Sequence, residues 1–138
     1  MRITTVIAAR PQDVWPHLAD VSSHVEWMAD AETIRFTTPQ RHGVGVSFEC
    51  DTRVGPFRLT DRMDVTEWEE GHVIGVAHRG LVTGTGRFTL ERLDRGERTR
   101  VTWQEELAFP WRLASPVLGA IWRRNLARLK SRIESATS

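Results

Sequence analysis

The sequence predicts an α+β fold in which one long C-terminal helix lies across a face of an antiparallel sheet, with two short helices after the first strand. Three observations carry this. First, Leu118, Ile121, Trp122, Leu126, Leu129 and Ile133 recur at helical spacings near the end of the chain, with Arg123, Arg124, Arg128, Lys130 and Arg132 between them. Second, residues 32–109 read as strands broken only by short turns. Third, one side-chain parity in each of those strands is apolar and the other polar, which suits a sheet covered on one side.

The elements follow in order. Arg2 to Ala8 alternates and is rich in Ile, Val and Thr, a first strand. Pro11 suits the first turn of a helix carrying Val14, Trp15 and Leu18 on one side and Asp13 near its positive end, finishing near Asp20. A second short helix around Ser22 to Trp27 is expected, with Ser22 as its cap. After a strand near 32–37, the apolar parity collects Val44, Val46, Phe48 and Cys50, then Phe57, Leu59, Met63 and Val65, then Ile74 and Val76, then Phe88 and Leu90, and last Val101, Trp103, Leu107 and Phe109. The opposite parity carries Glu49, Asp51, Arg58, Arg62, Arg87, Glu91, Arg100 and Gln104. Ser115 and Pro116 form an N-cap and first-turn pair for the terminal helix.

Composition bounds the partners. At 138 residues without repeats or linkers the chain is expected to form one domain, residues 1–138. A net charge of +1 gives no footprint for nucleic acid, and nothing approaches a membrane-spanning run. The basic helix face reads as ordinary solvation, so no membrane contact is expected. The N-terminus lacks the apolar block of a signal peptide and Cys50 is the only cysteine, which together suggest the cytoplasm. A monomer or homodimer is expected.

A first strand, then Val14-Trp15-Pro16-His17-Leu18-Ala19-Asp20, then Trp27, a meander of strands and a terminal helix with Leu126-Ala127-Arg128-Leu129-Lys130 resembles the SRPBCC superfamily over nearly the whole chain. That superfamily includes START-like lipid-transfer and polyketide cyclase/dehydratase-like proteins. The resemblance implies a helix-grip fold, a curved seven-stranded sheet around the C-terminal helix with a hydrophobic cavity between them. It also implies a hydrophobic or aromatic small molecule, lipid or polyketide-like, as the partner. Fold alone leaves open whether such a protein transforms its ligand or only carries and presents it.

Polar residues on the apolar parity mark where chemistry can sit, because a polar group facing a covered side must be paired or must face a ligand. These are Asp61, His78 and Glu105. A hairpin at Gly55-Pro56 sets Cys50 opposite Asp61 and Glu49 opposite Arg62. One around Glu69-Glu70 sets Asp61 opposite His78. Turns near Gly80-Leu81 and Arg95 set Gly84 beside His78, Gly86 beside Glu105, and Glu91 opposite Arg100. The catalytic candidates are therefore His78 as an acid-base group oriented by Asp61, and Glu105, whose apolar surroundings should raise its pKa and let it donate a hydrogen bond. A purely structural Asp61–His78 pair is the alternative. Phe48, Cys50, Leu59, Met63, Val76, Gly84, Gly86, Trp103, Leu118 and Trp122 are the candidate ligand contacts, the two glycines thinning the wall.

No cofactor or metal is expected. His72 and His78 stand six residues apart on a strand, about 20 Å, too far to share an ion, and Gly84-Thr85-Gly86 lacks the ending of a phosphate loop. Cys50 reads as packing rather than as a nucleophile. Trp15, Trp103 and Trp122 sit on apolar phases, whereas Trp27, Trp68 and Trp111 lie at element ends, as core or as the rim of an entrance. Residues 20–31 and 110–116 are the candidate gates.

Overall fold

The computed structural model describes residues 1–108 and 115–137. Its elements are β1 (Arg2–Ile7), α1 (Pro11–Ala19), a 3-10 helix (Val21–Glu26), β2 (Ala31–Phe36), β3 (Ser47–Val54), β4 (Phe57–Glu69), β5 (Val73–Arg79), β6 (Thr83–Leu93), a 3-10 turn (Asp94–Gly96), β7 (Arg98–Ala108) and α2 (Ser115–Thr137). The strands form one antiparallel sheet in the order β1-β7-β6-β5-β4-β3-β2. Strands β1 and β2 follow one another in the chain yet occupy opposite edges. The two short helices carry the chain between those edges, and β3 to β7 fill the interval as a meander of hairpins.

The concave face is closed by α2. Leu126, Leu129 and Ile133 on its apolar stripe are at most 1% exposed, and they pack in one cluster with Ile3, Ile7, Val101 and Trp103. Truncating any one of the three to alanine would remove about 2–5 kcal/mol. The C-terminal half of the helix is also tied to β1 by hydrogen bonds: Lys130 Nζ donates to the Val6 carbonyl at 2.7 Å, and Ala8 N–H donates to Glu134 Oε2 at 2.7 Å. The helix's arginines point outward, and Arg132 reaches Glu26 at 2.8 Å.

The convex face carries the opposite parity, as the alternation requires. Arg62 sits 3.6 Å from Glu49, Arg100 2.7 Å from Glu91, and Arg87 2.9 Å from Glu67. Exposed pairs of this kind are worth less than about 1 kcal/mol each.

Three hairpin registers match the turn-based expectations: Cys50 faces Asp61, Gly84 faces His78, and Gly86 faces Glu105. The β4–β5 register differs. His78 faces Met63 rather than Asp61, because the β4–β5 turn leaves three residues, 70–72, between Glu69 and Val73, and a bulge at Thr66 adds one more to β4. The bulge matters for the face. Glu69 opposite Val73 would by itself pair odd with odd residues along the hairpin, and Thr66 shifts the count so that Met63 and Val65 meet His78 and Val76.

Smaller departures have equally local causes. Strand β3 begins at Ser47, leaving Val44 exposed in the preceding turn, and Phe57 is exposed at a hairpin tip despite its apolar parity. Ser22 caps nothing: Asp20 occupies the N-cap position of the 3-10 helix, and the Ser22 hydroxyl donates to its carboxylate at 2.5 Å. Trp27 is 1% exposed, a core residue and no rim, and Trp68 packs edge-on against Trp15 with ring centroids 5.5 Å apart. Phe109 and Trp111, and with Trp111 most of the second candidate gate, lie outside the described residues.

Candidate functional site

Asp61 on β4, His78 on β5 and Glu105 on β7 converge on the concave face. His78 is 7% exposed, Glu105 9%. Asp61 is the diagonal neighbour of His78, two residues along β4 from Met63, which is near enough for the side chains to meet. His78 Nδ1–H donates to Asp61 Oδ2 at 2.8 Å, and Nε2–H donates to Glu105 Oε2 at 3.2 Å. The second Glu105 oxygen, Oε1, accepts from the Trp103 indole N–H at 2.8 Å.

The electrostatics follow from that geometry. Burial is the largest single influence on His78 and pulls its pKa down. The hydrogen bonds and charges of Asp61 and Glu105 together outweigh it and hold the imidazole up at about 9. His78 is therefore an imidazolium at neutral pH with both N–H groups occupied. Glu105 meets a ring nitrogen on each of its carboxyl oxygens.

Between this wall and α2 lies a cavity of about 150 Å³. Of the sequence-predicted contacts, Phe48, Cys50, Leu59, Met63, Val76, Gly86, Trp103, Leu118 and Trp122 line it, together with Asp61, His78 and Glu105. Gly84 does not. Its φ of +128° is left-handed backbone, and a Cβ there would stand 1.9 Å from the Glu106 carbonyl oxygen, so this glycine serves a close approach of β6 to β7. Gly86 makes room for the Glu105 carboxylate, which a Cβ there would meet at 2.6 Å.

Cys50 stays a bystander. Burial, partly offset by a hydrogen bond from Thr52, pushes its thiol up to about 11, so it is protonated and unreactive at neutral pH.

Sequence reasoning missed two polar residues here. His24 on the 3-10 helix lines the cavity and is 7% exposed. Its Nε2–H donates to the Leu18 carbonyl at 2.8 Å, and burial, opposed by that bond and by Asp20, lowers its pKa to about 4. Asn125 on α2 is wholly buried: its Oδ1 accepts from Ala29 N–H at 3.0 Å and its Nδ2 donates to Asp30 Oδ1 at 2.8 Å. These bonds pin the segment that supplies Met28, Asp30 and Ala31 to the cavity, part of the first candidate gate.

Comparison with known proteins agrees with this architecture. The chain superposes on a START superfamily protein from Mycobacterium smegmatis with a TM-score of 0.79 at 14% identity, covering 99% of this chain and 97% of that one. It superposes equally well, TM-score 0.79 and 14% identity over 99% of its length, on the di-domain ARO/CYC protein StfQ of the steffimycin biosynthetic pathway, of which it spans 45%. These likenesses show the fold. In sequence, the chain is 26% identical over 80 residues to uncharacterized proteins from two strains of Mycobacterium tuberculosis; the match spans 58% of this chain and 56% of theirs, so it reaches about half the length of the curated relatives. The family model described as polyketide cyclase/dehydrase and lipid transport matches residues 1–134. The chain belongs to that family, within the SRPBCC superfamily whose helix-grip fold it has.

Proposed function

We propose that this protein, as one ligand-binding domain over residues 1–138 working in the cytoplasm, holds a hydrophobic or aromatic small molecule in the cavity between sheet and α2. The observation that carries this reading is an apolar cavity with one charged cluster, Asp61–His78–Glu105, on its wall. A core that needed only to be filled would gain nothing from burying two carboxylates and an imidazolium, which lose solvation that their pairing only partly restores. The apolar walls supply affinity, and the cluster supplies orientation.

The saturation of His78 favours holding over transforming. An imidazolium whose two N–H groups already serve carboxylates takes no proton from a ligand until that network opens. The rival reading is cofactor-free acid-base chemistry of the polyketide cyclase/dehydratase kind.

A tryptophan-fluorescence titration with a panel of fatty acids, sterols and aromatic polyketide-like compounds tests both, each bound sample being incubated for hours and its ligand mass and chromatographic retention checked. Saturable quenching with an unchanged ligand is the expected result. A dehydrated or isomerised product, lost in His78→Gln, would establish the enzyme instead. No saturable signal from any compound would overturn the binding reading.

A further inference from the structure

The Asp61–His78–Glu105 cluster offers the cavity acceptors and no free donor. His78 spends both of its N–H groups on Asp61 and Glu105, and the Arg87 guanidinium, though its residue borders the cavity, is bound to Glu67. Two carboxylates against one imidazolium leave that wall with a net charge of −1. Asp61 Oδ1 has no donor among the described residues.

His24, on the 3-10 helix, also lines the cavity. A backbone carbonyl can only accept, so the 2.8 Å contact with Leu18 places the proton on Nε2 and leaves Nδ1 as a bare lone pair. No hydrogen bond to Nδ1 exists among the described residues. It is an unpartnered acceptor on a side chain that is only 7% exposed and belongs to a residue lining the cavity. Its ring lies 5.1 Å from that of Trp27 and 6.2 Å from that of Phe88, within an aromatic run continued by Trp103 and Trp122.

From this juxtaposition we infer that the cavity selects a ring-sized, neutral or cationic molecule bearing a hydroxyl or amino group, which donates a hydrogen bond to His24 Nδ1, and that it rejects carboxylates. The inference rests on the cavity being a binding site, and it names the class of ligand. Size agrees: about 150 Å³ is the volume that accepts benzene in an engineered apolar core. Charge agrees as well, because a carboxylate would meet a net negative cluster in a desolvated space.

Fluorine NMR with para-fluorophenol, para-fluoroanisole and para-fluorobenzoate, which share a ring and differ in donor and charge, is the test. Wild-type protein should bind the phenol roughly tenfold tighter than the anisole, a difference of about 1.4 kcal/mol, and should not bind the benzoate. In His24→Phe the phenol should fall to the affinity of the anisole. That substitution leaves the Leu18 carbonyl unpaired, so a second readout uses intact protein: the nitrogen-15 resonance of His24 Nδ1 should move upfield on adding the phenol, as an unprotonated imidazole nitrogen does on accepting a hydrogen bond. Equal affinity for phenol and anisole, binding of the benzoate, or a stationary Nδ1 resonance with the phenol bound would overturn the inference and leave the binding reading standing. Failure of all three probes to bind would overturn the inference too, while the binding reading falls only if the wider ligand panel also gives no saturable signal.

Discussion

His78 and Glu105 stand on strands that are not neighbours, and their side chains meet at 3.2 Å over a third strand, β6. His78 faces Gly84 and Glu105 faces Gly86, so the intervening strand carries no side chain on that face where the two converge. A pair on β5 and β7 is separated by two strand spacings, roughly 9–10 Å. Only long side chains over a bare strand close that distance.

Gly86→Ala tests this directly. The added methyl would lie 2.6 Å from Glu105 Oε2, and the carboxylate, the far end of a flexible side chain, should swing away. Losing one of its two carboxylates should lower the His78 pKa by about 1 unit or more from its present value near 9. Titration of the His78 imidazole by NMR in both proteins is the check, and an unchanged pKa would place Glu105 outside the pair. Gly84→Ala should behave differently, since its clash is with backbone at positive φ: the protein should lose at least about 2 kcal/mol or fail to fold.

The two buried histidines should give stability opposite dependences on pH. His78 is raised from 6.5 to about 9 in the folded state, so its contribution is complete below about pH 6.5 and is lost as pH rises from there to about 9. His24 is lowered from 6.5 to about 4, so its contribution is complete above about pH 6.5 and is lost as pH falls to about 4, where the unfolded chain is protonated and the folded one is not. Each limb should be worth on the order of 3 kcal/mol. Denaturant midpoints across the range should therefore peak near pH 6.5, and His78→Gln should flatten the alkaline limb alone. A midpoint that holds steady from about pH 6.5 to 9 in wild-type protein would contradict the charged network.

Asn125 should matter more than any charged residue on α2. Replacing it with alanine leaves Ala29 N–H without its acceptor and Asp30 without its donor, at about 2–3 kcal/mol. The solvent-facing neighbour Arg124→Ala should stay within about 0.5 kcal/mol. Chemical denaturation compares the two, and amide exchange at Ala29 should rise in Asn125→Ala before global unfolding. Equal stabilities for both variants would remove Asn125 as the anchor of this segment.

Much of the sheet was legible because turn positions and parity are both local signals. They set Cys50 opposite Asp61, Gly84 opposite His78 and Gly86 opposite Glu105, and they singled out three polar residues on the covered face. The β4–β5 register escaped because a bulge at Thr66 leaves no mark in the alternation until the partner strand is known. His24 escaped because a 3-10 helix buries every third residue, here Val21, His24 and Trp27, a period that is easily taken for part of an α-helix. Asn125 had a clear signal, a polar residue on the stripe between Trp122 and Leu129. The rule that found His78 on a strand would have found it on the helix.

The most direct test of the central claim, that the cavity is a binding site, uses the protein's own tryptophans. Trp103 and Trp122 line the cavity, whereas Trp15 and Trp68 are not among its lining residues, and the Trp103 indole N–H is bonded to Glu105. In a heteronuclear NMR titration with an aromatic ligand, the indole N–H resonances of Trp103 and Trp122 should shift saturably while those of Trp15 and Trp68 stay in place. Shifts confined to Trp15 and Trp68, or no saturable shift at any indole, would contradict it.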